Sequence, residues 1–266
     1  MDNLLKENYL AELAEKHKDI YQTQTPFPFI AIDNFLQHPI LDDALNAFPK
    51  KSDMEMYTYD NPLEKKLAFD QLFKLPKPIR EILLYMNSAP ILSFLEELTG
   101  IEGLIPDPYY RGGGIHELEI GGKLDMHIDF NIHPKLQLYR RLNAIIYLNK
   151  DWEDSYGGFL EIWSGHKENN KHVLDECHAK LSPIFDRLVV FNTSEHSYHG
   201  NPDPVTCPEG RSRRSIALYY YTKEVPTDGT PDKHSTTFIA RPHEIGNKEL
   251  EELREKRNQG RLSSNI

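Results

Sequence analysis

The stretch MHIDF at residues 126–130 contains two side chains that could bind a metal. In a β-strand, residues two positions apart project to the same face, so His127 and Asp129 would point together. An imidazole and a carboxylate on one face supply two ligands of the 2-His-1-carboxylate triad, which holds Fe(II) and leaves coordination positions open. A lone His-X-Asp pair is also typical of a solvated strand end, so a metal site requires a third ligand.

A histidine-rich segment later in the chain could supply that ligand. SEHSYHGNP at 194–202 directly follows the apolar run RLVVFN, so it begins where a strand would leave its sheet. It offers His196 and His199, and the residues alone leave both open. The order of the segments, with His-X-Asp first and this histidine pair several strands later, favours a shared metal site.

A basic strand near residue 213 indicates a co-substrate. In RSRRSIALYYY at 211–221, Arg213 and Ser215 share one face of a strand, and Arg214 lies on the other. A 2-oxo dicarboxylate that chelates iron through its oxo-acid end leaves a distal carboxylate, which a planar guanidinium binds well. Arg213 and Ser215 are therefore candidates to bind it, whereas Arg211 and Arg214 are typical of a solvated cluster.

The elements that would position these side chains are helices first and strands later. Apolar residues at helical spacing cover 3–22, 38–48 and 77–99, and PFPFIAIDNF at 26–35 is typical of a strand. From about residue 104 the segments of β character, separated by turn residues, are 115–120, 123–130, 142–149, 158–164, 187–192 and 213–222. Many short strands without intervening helices predict an antiparallel sandwich or barrel in an α+β chain.

Composition limits the partners and the compartment. The 266 residues carry a net charge of −10, which disfavours a nucleic-acid partner. Two cysteines, Cys177 and Cys207, are too few for a four-thiolate zinc site and are typical of a reducing cytoplasm. No apolar run reaches the roughly 18 residues of a membrane span, and the N-terminus lacks a signal-type apolar segment. We expect a cytoplasmic protein without a membrane partner, and its oligomeric state stays open.

Taken together, these segments resemble the Fe(II)- and 2-oxoglutarate-dependent dioxygenases. The similarity is strongest to the prolyl-4-hydroxylase-like branch, which includes the hypoxia-inducible-factor prolyl hydroxylases. It is carried by IIYLNKDWEDSYGGFLEIWS at 145–164, FDRLVVFNTSEHSYHG at 185–200 and RRSIALYYY at 213–221, and it spans roughly 110–222. The resemblance implies a double-stranded β-helix, a jelly-roll or cupin-like barrel, buttressed here by the N-terminal helices.

The resemblance also implies a ligand set and cofactors. Fe(II) would be held by His127, Asp129 and His199, because the family's distal histidine aligns with His199 and not with His196. The co-substrates would be 2-oxoglutarate and O₂.

The same resemblance implies the 2-oxoglutarate contacts. Arg213 aligns with the family's arginine, Ser215 completes an Arg-X-Ser pattern found elsewhere in the superfamily, and Tyr147 would donate its hydroxyl. Asn143 and Ile145 share the strand face of Tyr147, which fits the wall of a pocket.

The region that would meet the primary substrate is particular to this chain. The interval DFNIHPKLQLYRRLN at 129–143 is basic and aromatic and adjoins the iron ligand, so we expect it to form the substrate mouth. Its candidate contacts are His133, Arg140 and Asn143.

The strand before the His-X-Asp departs from the family. It normally offers a tyrosine to the co-substrate, whereas GIHELEI at 114–120 offers His116, Glu117 or Glu119. This wall of the pocket therefore cannot be carried over from the resemblance.

The resulting hypothesis is a single dioxygenase domain over 1–266, with mainly helical support at 1–103, a β-helix core at 104–225 and a polar C-terminal segment at 226–266. It would hydroxylate an unactivated C–H bond of a prolyl, amino-acid-type or other small-molecule substrate, releasing succinate and CO₂. Two alternatives stay open: a cupin-like metalloprotein that does not use 2-oxoglutarate, and a catalytically inactive binding module.

Overall fold

The structure is a computed structural model, described here for residues 8–226 and 232–259. The helices within these ranges are α1 (Tyr9–Gln22), α2 (Ile40–Asn46), α3 (Lys77–Met86), α4 (Ala89–Thr99) and α5 (Lys248–Asn258). None of them combines the length and apolar character needed to cross a membrane. Residues 3–7 of the first predicted helix lie outside the described ranges.

The strands in the same ranges begin with β1 (Phe29–Ile32), β2 (Tyr57–Asn61), β3 (Glu64–Phe69), β4 (Ile105–Pro106), β5 (Gly114–Leu118), β6 (Lys123–Ile128) and β7 (Tyr139–Tyr147). They continue with β8 (Leu160–Glu168), β9 (Lys171–Leu181), β10 (Leu188–Asn192), β11 (Tyr198–Asn201), β12 (Arg213–Thr222) and β13 (Thr237–Phe238).

These strands form one antiparallel sheet that curls into a nearly closed barrel. Its order is β1-β10-β7-β12-β5-β3-β6-β11-β8-β9, with β2, β4 and β13 paired to β3, β12 and β6. One wall is β1-β10-β7-β12-β5 and the other is β6-β11-β8-β9, and β3 joins them by pairing with both β5 and β6. The predicted double-stranded β-helix in an α+β chain is confirmed.

The central strands β7 and β12 have two different faces. Their outer residues pack with the N-terminal helices in the main hydrophobic core: Leu142, Ala144, Ile146, Ile216, Leu218 and Tyr220. Their inner residues include polar side chains that face the barrel cavity: Asn143, Arg213, Ser215 and Tyr219. Because side chains alternate along a strand, burial of the apolar set against the helices directs the polar set inward.

The N-terminal part differs from the expectation in two ways. The predicted helix at 77–99 is two helices, α3 and α4, which break at Asn87 and Ser88 just before Pro90 in the first turn of α4. Proline disfavours helical geometry in the residue before it and lacks an N–H, so it suits a helix start. The region also contains the hairpin β2–β3, which the sequence did not predict. Its second strand, EKKLAF, begins with charged residues and completes the barrel by pairing with β5.

The C-terminal segment packs on the strand that carries the His-X-Asp pair. Strand β13 pairs with β6 through Phe238 and His127. Helix α5 is attached by buried Arg254, whose Nη2 donates to Oδ2 of Asp125 on β6 at 3.1 Å and to Oε2 of Glu244 at 2.6 Å. The segment predicted to be polar is therefore tied to the barrel by buried charges.

Replacing Arg254 with methionine should destabilise the whole barrel. The change leaves the carboxylates of Asp125 and Glu244 with less compensation, and breaking a buried ion pair costs about 3 kcal/mol or more of unfolding free energy. Lys256→Met, on the exposed side of the same helix, is the matched control and should change the unfolding free energy by less than about 0.5 kcal/mol. Urea unfolding measures both, and equal small losses would show that α5 is not coupled to β6.

Candidate metal and co-substrate site

Three side chains that could ligate a metal converge at the end of β6. His127 lies on β6, Asp129 follows its last residue, and His199 lies on β11 directly opposite His127. Nε2 of His199 is 3.3 Å from Oδ2 of Asp129, and Nε2 of His127 is 3.7 Å from Oδ1. The ligand atoms all lie within 4.8 Å of one another, close enough to hold one ion. His196 lies exposed in the preceding turn, outside this group.

Both histidines present an unprotonated nitrogen to this point. Nδ1 of His127 is 2.8 Å from the carbonyl oxygen of Asp125, and Nδ1 of His199 is 2.8 Å from that of Ser197. A carbonyl only accepts, so each Nδ1 donates its proton and each Nε2 keeps the lone pair that binds metals. Burial, with a contribution from the nearby His199, lowers the pKa of His127 to about 3 and keeps the ring neutral.

The carboxylate of Asp129 is charged despite its burial. Burial alone would raise its pKa, but the guanidinium of Arg140 and the ring of His199 outweigh that effect and hold the pKa well below its usual range. An ionised carboxylate is the protonation state in which Asp129 can bind a metal.

A buried cation lies on the neighbouring wall. Arg213 is 4% exposed, its Nε donates to the carbonyl oxygen of Gly158 at 2.7 Å, and its Nη2 donates to the hydroxyl of Tyr147 at 3.1 Å. Among the described residues, no carboxylate lies within ion-pair distance of this guanidinium. A buried charge without a counter-ion is costly, so the arrangement calls for an anionic ligand.

The backbone around Arg213 leaves room only for glycine. A Cβ at Gly158 would lie 2.8 Å from Cδ of Arg213, and Gly158 also has a φ of +70°.

In the pairing of β12 with β7, Ser215 lies opposite Tyr147, so both polar groups lie beside the guanidinium on the inner face. Arg213, Tyr147 and Ser215, the three residues expected to bind 2-oxoglutarate, are thus brought together.

One cavity of about 280 Å³ is lined by the three metal-ligating residues and by two of the three residues expected to bind 2-oxoglutarate. His127, Asp129, His199, Arg213 and Ser215 all line it. The donor set fits Fe(II) bound by two imidazoles and one carboxylate, and the uncompensated guanidinium fits the distal carboxylate of a dicarboxylic acid.

The three candidate substrate contacts have different positions. Arg140 and Asn143 line the cavity, where Nδ2 of Asn143 donates to Oδ2 of Asp129 at 2.8 Å and Nη2 of Arg140 forms an ion pair with the same oxygen at 3.0 Å. His133 does not: its ring is fully buried, Nδ1 accepts from the backbone N–H groups of Lys135 and Leu136, and Nε2 lies 3.3 Å from Asp107. These contacts place the His133 ring inside its own loop, and its role as a substrate contact stays a prediction.

His116 lies on β5, the strand on which the family normally has a tyrosine. It lines the cavity, whereas Glu117 forms an ion pair with Arg214 and Glu119 is exposed. Nε2 of His116 lies 3.0 Å from the carbonyl oxygen of Gly112, so Nε2 carries the proton and Nδ1 is left as an acceptor. Burial is the main cause that lowers the pKa of His116 to about 3, so the ring is neutral.

Sequence reasoning missed the cavity residues of the C-terminal segment. Thr236, Phe238 and Arg257 line the cavity, and Arg257 forms an ion pair with buried Glu64 on β3. Strand β13 has only two residues, too few for an alternating pattern to be recognised in the sequence. No local signal indicates that this segment, about 110 residues after the His-X-Asp pair, packs beside that pair.

Comparison with known proteins places this region in a family. Residues 113–221 match the model of the 2OG-Fe(II) oxygenase superfamily. Among curated proteins, the chain is similar to the prolyl 3-hydroxylase OGFOD1 of Mus musculus, with 26% identity over 234 residues. That alignment covers 86% of this chain and 39% of the relative, so the chain spans well under half the length of that protein.

Solved structures support the same fold. A prolyl hydroxylase from Trichoplax adhaerens, in complex with a hypoxia-inducible-factor oxygen degradation domain peptide, superposes with a TM-score of 0.57 at 20% identity, covering 82% of this chain and 94% of that one. HygX from Streptomyces hygroscopicus, with nickel, 2-oxoglutarate and hygromycin B bound, gives a TM-score of 0.52 at 13% identity, covering 84% and 99%.

Substitution of Gly158 tests the geometry around Arg213. Gly158→Ala should displace the guanidinium and weaken 2-oxoglutarate binding by about tenfold or more, equivalent to at least about 1.4 kcal/mol. Gly157→Ala is the matched control, because its φ of +68° imposes similar strain but its Cβ meets only the carbonyl of Pro204 at 3.6 Å. Anaerobic titration calorimetry on Fe(II)-loaded protein measures both, and equal affinities would show that Arg213 does not depend on this contact.

The matched region 113–221 contains both the metal-ligating group and Arg213. Its fold is shared with solved structures that include a prolyl hydroxylase. Over residues 113–221 the chain is therefore similar to the 2OG-Fe(II) oxygenase superfamily.

Proposed function

We propose that this chain is an Fe(II)- and 2-oxoglutarate-dependent dioxygenase that hydroxylates a C–H bond of a prolyl or related amino-acid-type substrate. Fe(II) would be held by His127, Asp129 and His199. Arg213, Tyr147 and Ser215 would bind 2-oxoglutarate.

The observation that carries the proposal is the buried Arg213, which has no counter-ion among the described residues and lines the same cavity as the metal-ligating group. A metalloprotein that used no dicarboxylate would bear the cost of burying this charge with no compensation. The cupin-like alternative is therefore disfavoured. An inactive binding module is disfavoured as well, since two imidazoles and a carboxylate lie close enough together to hold one ion.

Bound Fe(II) supplies the oxidation, in which O₂ and 2-oxoglutarate convert a C–H bond to C–OH and release succinate and CO₂. The chain contributes orientation and charge. Arg213 and the Tyr147 hydroxyl would fix the distal carboxylate of 2-oxoglutarate, and Asp129 would partly neutralise the metal. The three protein ligands leave open positions for the co-substrates.

A prolyl substrate is favoured by the relatives. The curated relative is named a prolyl 3-hydroxylase, and the Trichoplax structure contains a peptide. The cavity also extends to the β2–β3 hairpin, which lines it through Tyr57, Tyr59 and Lys66 and could contact residues flanking the one that reacts. The net charge of −10 supports a substrate other than nucleic acid. The cytoplasmic location and the single-domain organisation over 1–266 remain predictions from the sequence.

Anaerobic titration with Fe(II) and 2-oxoglutarate tests the proposed cofactors. The wild-type protein should develop the weak visible charge-transfer band of a 2-oxoglutarate chelate, and His199→Ala should lose it because one of the three ligands is gone. His196→Ala is the matched control, because that ring is exposed and lies outside the ligating group. A wild-type protein without the band would refute the assignment. Loss of the band in His196→Ala alone would identify His196, and not His199, as the third metal ligand.

His116 should serve the primary substrate and not 2-oxoglutarate. Its free Nδ1 only accepts, and the 2-oxoglutarate dianion has no donor to offer. His116→Leu should therefore leave the affinity for 2-oxoglutarate within about twofold of wild type, a free-energy change of less than about 0.5 kcal/mol. Ser215→Ala, which removes a possible donor, should weaken it. If His116→Leu lost as much affinity as Ser215→Ala, the ring would have to be assigned to the co-substrate.

A further inference from the structure

Arg140 is a second buried arginine in the cavity, and its surroundings hold it rigidly. It is 2% exposed, and its guanidinium carbon lies 3.5 Å from the ring centre of Tyr219 and 4.6 Å from that of Phe130. Stacking between two aromatic rings restricts the plane of the guanidinium and adds a cation–π attraction.

A bulge directs Arg140 into the barrel. Tyr220 on β12 pairs with Leu142, but the next residue, Tyr221, pairs with Arg140, so Arg141 is an extra residue on β7. Simple alternation would put Arg141 on the inner face with Asn143. A bulge reverses that order and turns the neighbouring side chain inward.

The guanidinium and one amide hold a single oxygen of the candidate metal ligand. Nη2 of Arg140 lies 3.0 Å from Oδ2 of Asp129, and Nδ2 of Asn143 donates to the same oxygen at 2.8 Å. Oδ1 of Asn143 accepts from Nε and Nη2 of Arg140 at 3.1 and 2.6 Å, which fixes the orientation of the amide. Oδ1 of Asp129 receives no hydrogen bond from the described residues.

We infer that Arg140 and Asn143 are positioning residues that retain Oδ2 of Asp129 and present only Oδ1 to the metal. The inference rests on the proposed iron site. An ion pair and a hydrogen bond on one carboxylate oxygen favour metal binding through the other oxygen. Single-oxygen binding preserves the open positions that 2-oxoglutarate and O₂ need, whereas a carboxylate free to rotate could bind through both oxygens and occupy one of them.

The rival role for Arg140 is contact with the primary substrate, since it also lines the cavity. The two roles differ in what they require. A substrate contact affects only reactions in which the primary substrate is present. A residue that orients Asp129 alters the metal site in its absence, so a spectroscopic measurement without substrate separates them.

The experiment uses Co(II) in place of iron, because its visible absorption reports coordination number and it is stable in air. Arg140→Met is compared with Arg141→Met, which removes an adjacent arginine whose Nη1 contacts Thr222. Arg140→Met should still bind one Co(II), with an affinity lowered by about 10–100-fold, show an altered visible spectrum and bind 2-oxoglutarate more weakly than wild type. Arg141→Met should match wild type in all three.

The outcomes are decisive in both directions. Arg140→Met with the spectrum and 2-oxoglutarate affinity of wild type would overturn the inference and leave substrate contact as the role. Loss of Co(II) binding would also contradict it, because the freed carboxylate should remain a ligand. Arg140→Lys, which keeps the charge and one donor, should restore part of the affinity.

Asn143→Ala provides a second, independent variant if Arg140→Met does not fold. It removes one donor to Oδ2 while retaining the arginine, so it should alter the cobalt spectrum in the same direction to a smaller extent. An unchanged spectrum would count against the inference. Failure of the proposed function looks different, because the wild-type Co(II) protein would then show no response to 2-oxoglutarate.

Discussion

The register between β6 and β11 is the constraint on which the site depends. His127 and His199 lie directly opposite each other across these two antiparallel strands, and their rings are 4.3 Å apart between centres. A shift of one residue would turn one imidazole to the other face of the sheet. The register is supported on both sides, by the pairing of β11 with β8 and by the pairing of β13 with β6.

Two buried arginines on adjacent strands differ in whether a carboxylate of the protein compensates their charge. Arg140 is compensated by Asp129 and enclosed by aromatic rings, whereas Arg213 has hydrogen bonds to neutral groups only. The same residue type thus has two roles. One guanidinium has a carboxylate partner within the protein, and the other is the one we propose to pair with the carboxylate of a ligand.

The C-terminal segment stabilises the barrel and also contributes a residue to the candidate metal site. Arg254 and Arg257 reach back to Asp125 and Glu64, on the two strands β6 and β3 that close the barrel beside the ligating group. Buried ion pairs are demanding in geometry, so their formation fixes where β13 lies along β6. This segment contributes Phe238, whose ring is 5.7 Å from that of His127.

The parts of the fold and of the site that the sequence predicted are those that depend on local interactions. Alternation along a strand is a local property, so the shared faces of Arg213 with Ser215 and of Asn143 with Tyr147 were predictable, as were the barrel class and most of its strands. The hairpin β2–β3 and the long strand β9 were missed, because β2 and β9 are polar and largely exposed or half-buried and β3 begins with three charged residues, so none of them shows a clear apolar period.

Tertiary structure alone decided the rest. The bulge that turns Arg140 inward arises from a mismatch between two paired strands, so neither strand encodes it by itself. The burial of His133 likewise depends on Asp107 and on a loop that folds over the ring. The residues by themselves determined which side chains could do the chemistry and, along strands without a bulge, which of them share a face. Long-range pairing determined which of them meet, because register, bulges and buried charge pairs exist only once distant segments are in contact.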